Sequence, residues 1–214
     1  MKNILFIQIP KTGSTSVVEY FNMFKLHISH GKINPIKFDN SQHLTTGHLD
    51  VNFIDNPHYD NDFYKNSFKF CIIRNPYDRA VSLFFFLKSK NQLKKFNFKS
   101  WIRYLHKNRK CIPKNRLYDK NVVTHKQINN MWNPMVSWIP KDINKIYYLE
   151  DGLQNIIQDV CKNIQCEVKD TSVRVMNKSK HDNFKKYYDF ETCKLLEEIY
   201  KDDFDRFKYK YMFN

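Results

Sequence analysis

Three apolar stretches, each followed by a helical pattern, constrain the fold of this chain more than any other feature. Residues 3–9 and Phe68–Arg74 are rich in β-branched and aromatic residues and alternate little, which is typical of strands buried on both faces of a parallel sheet. Lys145–Asp151 is a third such stretch. Strands that alternate with helices form α/β domains, so we predict a central parallel β-sheet flanked by helices. The helices that follow these strands are predicted over residues 14–24, from a cap at Asp78 through about Lys90, and over 152–163.

The remaining patterns complete a single domain. Further helices are predicted over 97–107, 125–132 and about 189–201, whereas 25–67 and about 170–186 are irregular connections. The chain has 214 residues, a length that suits one domain with a sizeable core. Because no Pro/Gly/Ser-rich linker and no internal repeat interrupts it, we expect residues 1–214 to form one domain.

The turn after the first predicted strand, "IPKTGSTS", has the composition of an anion-binding loop. Pro10 closes the strand, Gly13 permits a tight turn, and the hydroxyl residues lie beside the N–H groups at the start of a helix. Lys11 adds a positive charge. An ordinary capped turn would need one hydroxyl and no lysine. The order is also unlike the Walker A pattern, in which the lysine follows the glycine, and this argues against a typical NTPase.

The chain is strongly basic, with a formal net charge of +14 and a sequence pI near 9.5. Such a charge attracts nucleotides, acidic glycans, nucleic acids and anionic lipids alike. Lysines that solvate a surface explain much of it without any ligand. Charge alone therefore does not select a function.

Cysteines and apolar runs exclude several classes of protein. The five cysteines form no CxxC pair, so no zinc site is predicted, and Cys71 is expected to be a buried thiol within the second strand. No apolar run reaches the roughly 18 residues of a membrane span, and the N-terminus has no signal-like segment. We expect a protein that is soluble as it stands, cytoplasmic if complete, or a lumenal Golgi domain if an anchor has been removed.

Three blocks, in this order along the chain, carry a resemblance to a known family. "IPKTGSTS" looks like the 5′-phosphosulfate loop of PAPS-dependent sulfotransferases, especially those of the Golgi carbohydrate type. "FKFCIIRNPYDRAVSLFFF" resembles that family's 3′-phosphate motif, and the stretch from "VMNKSKHDNF" to "DDFDRFKY" is similar to its closing loop and final helix. The relatives it most resembles are the uronyl 2-O-sulfotransferases of sulfotransferase family 2. The resemblance implies a P-loop-like, three-layer sulfotransferase fold.

The resemblance also assigns donor-binding roles. Lys11 would contact the oxygen that bridges the sulfur and the 5′-phosphate, where a cation stabilises the leaving charge. The loop that holds the 5′-phosphate and the sulfonate would comprise Thr12, Gly13, Ser14, Thr15 and Ser16. Arg74 and Ser82 would bind the 3′-phosphate, and a late polar loop with Asn177, Ser179 and Lys180 would close over the nucleotide.

Simpler interpretations exist for the second motif. Arg74 suits an ion pair with Asp78, and Ser82 suits a small residue in a helix. Arg79 is interpreted as a structural partner of the loop and not as a ligand.

The acceptor hydroxyl must lose a proton as it attacks sulfur, and histidine is the usual base near neutral pH. The candidates between the two donor motifs are His27, His30, His43 and His48. "TTGHLDVNF" resembles the Gly-His segment that carries the catalytic histidine in uronyl 2-O-sulfotransferases, so His48 is predicted to be the base, with Asp50 near enough to orient it. Glu19 is the second choice, since other branches of the family use a glutamate.

The resemblance therefore implies transfer of a sulfuryl group from PAPS to a hydroxyl of a carbohydrate acceptor, with PAP as the product and no metal. An acidic glycan is one candidate acceptor; no nucleic acid partner is expected. His125, Gln127, Trp132 and Trp138 are considered for the acceptor cleft but are not assigned to it. Two alternatives stay open: a P-loop phosphotransferase, which would consume ATP with magnesium, and a non-catalytic polyanion-binding protein, whose binding would depend strongly on salt.

Overall fold

The computed structural model describes residues 3–23, 65–109, 131–166, 173–174, 176 and 181–213. These residues fall into two compact units. The first is drawn from Met1–Ile73 and Trp138–Asn177, and the second from Arg74–Ser137 and Lys178–Asn214. The expectation of one domain over residues 1–214 stays a prediction, and each unit is described by itself.

The first unit contains a parallel sheet of three strands in the order β1-β2-β3. In register, Ile7 lies opposite Cys71, and Cys71 lies opposite Ile146. The α/β fold predicted from the alternating patterns is confirmed. The strands are β1 (Asn3–Ile7), β2 (Ser67–Ile73) and β3 (Lys145–Tyr148).

The described residues contain six α-helices and three short 3-10 helices. The 3-10 helices are Met135–Trp138, Leu149–Asp151 and Phe184–Tyr187. The α-helices are α1 (Ser14–Met23), α2 (Pro76–Ser89), α3 (Phe98–Asn108), α4 (Leu153–Asn163), α5 (Phe190–Ile199) and α6 (Lys201–Phe207).

One face of the sheet packs against α1 and α4. Phe70, at the centre of β2, stacks on Phe6 with ring centroids 4.7 Å apart and meets the edge of Tyr147 at 5.9 Å. Val17 and Phe21 from α1 and Ile157 from α4 are fully buried in the same cluster. Residues of opposite parity in the strands, such as Leu5 and Cys71, are also buried. The strands β1 and β2 are thus covered on both faces, as their largely apolar sequences predict, whereas β3 is only partly buried.

The second unit has an aromatic core at its centre. Tyr77 in α2 packs edge-on against Tyr188 and Phe204, with ring centroids 5.2 and 5.1 Å away. Its hydroxyl donates to Glu197 at 2.5 Å and accepts from the backbone N–H of Met212 at 3.2 Å. Burial and the Glu197 carboxylate together raise the pKa of Tyr77 far above its usual value. The C-terminal residues are therefore held to α2 and α5 by a buried polar network.

Several predicted element ends differ from the observed ones. The third strand ends at Tyr148, because Leu149 turns into a 3-10 helix and packs against the core of the first unit. The final helix divides at Tyr200, whose φ of −110° and ψ of 25° interrupt the helical backbone between α5 and α6. Of the helix predicted over 125–132, residues 125–130 lie outside the described residues, and 131–132 are in a turn.

The cap of α2 also differs from the prediction. Asn75, and not Asp78, caps the helix: its side-chain oxygen accepts from the N–H groups of Tyr77 at 3.0 Å and Asp78 at 3.4 Å. Pro76 occupies the first helical position, where its missing N–H costs nothing. Asp78 lies within the first turn, where a carboxylate interacts favourably with the helix dipole.

Candidate functional site

The candidate anion loop connects β1 to α1 and has an unusual backbone. Lys11 has a φ of 68° and Gly13 a φ of 84°, and both values lie in the left-handed region. Lysine adopts this region at a cost of roughly 1–2 kcal/mol, so the surrounding structure must hold it there. The loop leads into the first turn of α1, where backbone N–H groups and the helix dipole favour an anion.

Gly13 is in a position where only glycine fits without a shift. A Cβ built on it would lie 3.0 Å from Cδ1 of Leu149 and 3.4 Å from Cδ2 of Leu153. These two leucines follow β3 in the chain and form a wall behind the loop. The backbone of the loop therefore rests directly on the start of α4, and a side chain at residue 13 would force them apart.

The four hydroxyl residues of the loop have different surroundings. Thr12 is fully buried and donates to the carbonyl of Ile9 at 2.9 Å. Ser16 is also buried, and its Oγ accepts from the backbone N–H of Met176 at 2.8 Å. Ser14 is buried, whereas Thr15 is exposed. Two of the predicted ligand residues, Thr12 and Ser16, thus also brace the loop, which was not predicted from the sequence.

Arg74 makes the ion pair that its simpler interpretation requires. Its Nε and Nη2 lie 2.9 and 2.8 Å from Oδ2 of Asp78, and its side chain is 16% exposed. The pair engages the Nε and Nη2 groups of the guanidinium, which carries five N–H donors in all. The ion pair holds the planar group at the N-terminal end of α2, the end of a helix that favours an anion.

Ser82 lies in α2 one turn after Asp78, on the same face of the helix. It is only 2% exposed. Arg74, Asp78 and Ser82 therefore form one row along the start of α2. The anion loop belongs to the first unit and this row to the second, and their common use of one ligand is a proposal.

Arg79 is buried and holds a segment well separated along the chain from the loop that it was predicted to support. It is 1% exposed, and its guanidinium donates to the carbonyls of Asn133 at 3.1 Å and Met131 at 2.9 Å. Burial lowers its pKa, and the nearby Asp203 opposes that shift. The segment that it holds, Met131–Asn133, leads into the 3-10 helix at Met135–Trp138.

Asp203 holds the same segment from the other side, and sequence reasoning missed it. Its two carboxylate oxygens accept from the N–H groups of Met135 at 2.8 Å and Val136 at 2.9 Å. Burial raises the pKa of Asp203 to about 6, although the charge of Arg79 and the two N–H groups lower it. A signal was present: Tyr200, Asp203, Phe204 and Phe207 have the i, i+3, i+4, i+7 spacing of a buried stripe.

Several predicted site residues lie outside the described residues. These are His48 and Asp50, the alternative histidines His27, His30 and His43, the late-loop residues Asn177, Ser179 and Lys180, and the acceptor candidates His125 and Gln127. Glu19 is described and lies exposed on α1. Trp138 is buried in the first unit, and Trp132 packs partly buried against the aromatic core of the second.

The described ranges of the chain contain neither a cluster of metal-ligating side chains nor a membrane-spanning helix. Within those ranges, no group of three or more His, Cys, Asp or Glu side chains is arranged to hold a metal ion. None of the helices found there is both long enough and apolar enough to traverse a bilayer.

Comparison with known proteins adds one positive finding. A family model described as "Sulfotransferase family" matches residues 1–210, nearly the whole chain. No curated protein and no solved structure matches significantly.

Proposed function

This chain belongs to the sulfotransferase family, and from that premise we propose that it is a PAPS-dependent O-sulfotransferase acting on a carbohydrate. Sulfuryl transfer is supported by the family as a whole. The donor PAPS, the carbohydrate acceptor and the residue roles below are parts of the proposal. No metal takes part in it.

The observation that carries the proposal is the braced loop at the start of α1. Lys11 is held there with a left-handed backbone, on a loop fixed by the Thr12 and Ser16 hydroxyls and backed by Leu149. A preorganised cation beside a helix N-terminus favours charge that develops during a reaction, because it needs no reorganisation at that moment. An ordinary capped turn does not require such bracing.

In the proposed reaction an acceptor oxygen attacks the sulfur of PAPS in line with the leaving group. The new S–O bond forms as the bond between sulfur and the bridging oxygen of the 5′-phosphate breaks. The electron pair of that bond stays on the phosphate of PAP, where Lys11 and the N–H groups at the start of α1 stabilise it. The proton of the acceptor hydroxyl passes to His48.

The 3′-phosphate of the same donor is proposed to bind at the start of α2. Arg74 and Ser82 would bind the 3′-phosphate, and Asn177, Ser179 and Lys180 would close over the nucleotide. Chain order supports this assignment, since Lys11 follows β1 and Arg74 directly follows β2. Parallel neighbours end at the same edge of a sheet.

Lys11→Ala tests the core of the proposal. We expect turnover to fall by two or more orders of magnitude, with an unchanged circular dichroism spectrum, because the side chain acts on the leaving oxygen. The assay is transfer of radiolabelled sulfate from PAPS to a panel of acidic and neutral glycans. Near-wild-type transfer by the variant would remove Lys11 from the chemistry, and magnesium-dependent ATP consumption without sulfate transfer would favour a phosphotransferase.

His48→Gln tests the proposed base. A histidine base must be neutral to accept the proton, so the wild-type rate should fall at acidic pH with a single ionisation near the usual histidine range. The variant should lose about 100-fold or more in rate and should lack that acidic limb in a profile of kcat/KM against pH. His43→Gln is the matched control; a profile unchanged in the His48 variant would exclude His48.

A further inference from the structure

The positive charge of the chain is concentrated in one stretch. Residues 88–109 contain eight Lys or Arg and no Asp or Glu, so they carry +8 of the formal +14. This stretch is about a tenth of the chain. The positive charge is therefore dense in this stretch, and its local structure shows which of these groups have acidic partners.

The stretch runs from the end of α2 through a turn and along α3. On one side of α3, Asp189, which caps α5, and two acidic residues within α5 neutralise part of the charge. Lys99 lies 2.7 Å from Asp189, Arg103 lies 2.5 Å from Glu191, and Arg109 lies 3.2 Å from Glu198. These pairs hold α3 against α5. The other lysines of the stretch take no part in them.

Four lysines form that surface, here called the basic surface: Lys90, Lys94, Lys95 and Lys107. All four are exposed, and within the described residues none of them has an acidic partner at ion-pair distance. Four like charges without counter-charges repel one another. An anionic ligand would relieve this repulsion.

The basic surface has lysines in the turn after α2 and one lysine, Lys107, in α3. An exposed aromatic side chain lies between them. Tyr104 is 48% exposed on α3, and the ring of Phe96, from the turn, lies against it with centroids 5.3 Å apart. Lys95 precedes Phe96, and Lys107 lies one turn after Tyr104 on the same face of α3. The contact thus places the lysines of the turn beside the exposed face of α3, with an aromatic ring between them.

The basic surface is distinct from the row of donor-binding candidates in the same unit. Lys90 follows the C-terminal end of α2, and Arg74 precedes its N-terminal end. A helix of 14 residues is about 21 Å long. A nucleotide bound at Arg74 is therefore separated from Lys90 by the whole length of α2.

We infer that the basic surface binds an extended anionic polysaccharide, and that the carbohydrate acceptor of the proposed enzyme is an acidic polymer held partly at this exosite. Lysine ammonium groups suit sulfate and carboxylate groups along a flexible chain, and Tyr104 offers a flat face to a sugar ring. The two arginines of the stretch, whose planar forks are the residues of choice for nucleic-acid phosphates, are engaged by Glu191 and Glu198. The occupant favoured is therefore a polysaccharide and not a nucleic acid. The identity of the acceptor rests on the proposed function; the binding surface does not.

A variant carrying Lys94→Gln, Lys95→Gln and Lys107→Gln tests the exosite, with heparin as the probe. We expect its affinity for heparin at fixed salt to fall at least tenfold. The slope of log affinity against log salt should become shallower by about three, since each lost contact releases about one counterion fewer. The matched control, Lys185→Gln with Lys186→Gln and Lys210→Gln, removes the same charge from exposed positions elsewhere in the unit and should behave as wild type.

The outcomes separate the exosite from the enzyme assignment. In sulfate-transfer assays the exosite variant should show a raised KM for heparin-length acceptors and an unchanged KM for a disaccharide. If no acceptor is sulfated but heparin binding falls as expected, only the proposed function fails. Unchanged heparin affinity, an equal loss in the control variant, or displacement of heparin by duplex DNA at lower concentration than by heparan sulfate would each overturn the inference.

Discussion

At the scale of single residues, the anion loop depends on two backbone conformations that most side chains avoid. Lys11 and Gly13 both have positive φ, which glycine adopts readily and lysine does not. Gly13 must also be free of a Cβ, because the loop lies on Leu149. Lys11 carries a long charged side chain on a strained, left-handed backbone. Residues with strained backbones cluster at ligand-binding sites.

Comparing Gly13→Ala with Gly152→Ala separates strain from crowding. Both glycines have φ near +85°, but a Cβ at Gly152 meets only Nδ2 of Asn155 at 4.0 Å. Backbone strain alone should cost about 1–2 kcal/mol in each variant, and Gly13→Ala should lose more because Leu149 must move. The measurement is urea unfolding, together with affinity for adenosine 3′,5′-bisphosphate. Equal losses in both variants, with equal affinity, would contradict a role for close contact at Gly13.

At the scale of elements, two buried charged side chains hold residues 131–136, which lie just before the chain re-enters the first unit at Trp138. Arg79 of α2 holds the carbonyls of Met131 and Asn133, and Asp203 of α6 holds the N–H groups of Met135 and Val136. The two side chains thus clamp both ends of a short irregular segment that has little regular hydrogen bonding of its own. Buried charges of this kind are costly when one partner is removed.

Asp203→Asn should reveal the cost of ionising this site. Because burial raises the pKa of Asp203 to about 6, the folded protein retains a proton that the unfolded chain loses near pH 4. Its contribution to stability is therefore full below about pH 4 and is lost as the pH rises to about 6. The free energy of unfolding of wild type minus that of the variant should fall by up to about 3 kcal/mol across that range.

Urea unfolding at a series of pH values measures this difference. Asp202→Asn, one residue away and exposed, is the control for the loss of a single carboxylate. A wild-type-minus-variant difference that is constant between pH 4 and 7, or the same slope in the control, would show that Asp203 does not titrate as its burial predicts.

At the scale of the whole molecule, the proposal requires one donor to engage residues of both compact units. In that proposal the anion loop would bind the 5′ end of the donor, and the row at the start of α2 would bind its 3′-phosphate. Binding energy from a remote phosphate can then serve to orient the reacting sulfuryl group.

Arg74→Ala tests whether one ligand uses both halves. Wild type should bind adenosine 3′,5′-bisphosphate about 10–100-fold more tightly than adenosine 5′-monophosphate, since hydrogen bonds to charged groups contribute about 1.5–3 kcal/mol. In Arg74→Ala this ratio should approach one, whereas Lys11→Ala should weaken both ligands alike. Calorimetric titration provides the affinities. Arg206→Ala is the control at an exposed arginine, and a ratio that Arg74→Ala leaves unchanged would contradict the assignment.

Much of the fold followed from local sequence patterns. The three strands, the parallel sheet and the helices after each strand were predicted within a few residues, because burial on both faces leaves unbroken apolar runs that periodicity detects. The loop was also recognisable, since glycine at residue 13 suits the positive φ found there, whereas the left-handed backbone of Lys11 was not predicted. The division of the last helix at Tyr200 was not predicted, because it reflects packing and not helix propensity.

The sequence by itself determined which local structures form and which residues are available for anion chemistry. Only the tertiary structure decided that Ser16 meets Met176, that Asp203 and Arg79 clamp one segment, and that Glu191 and Glu198 neutralise some basic residues of α3 and not others. The physical reason is the separation along the chain over which each kind of interaction acts. Periodicity and turn chemistry act over a few neighbouring residues, whereas hydrogen bonds and ion pairs between residues far apart in the chain form only after the elements that carry them have packed.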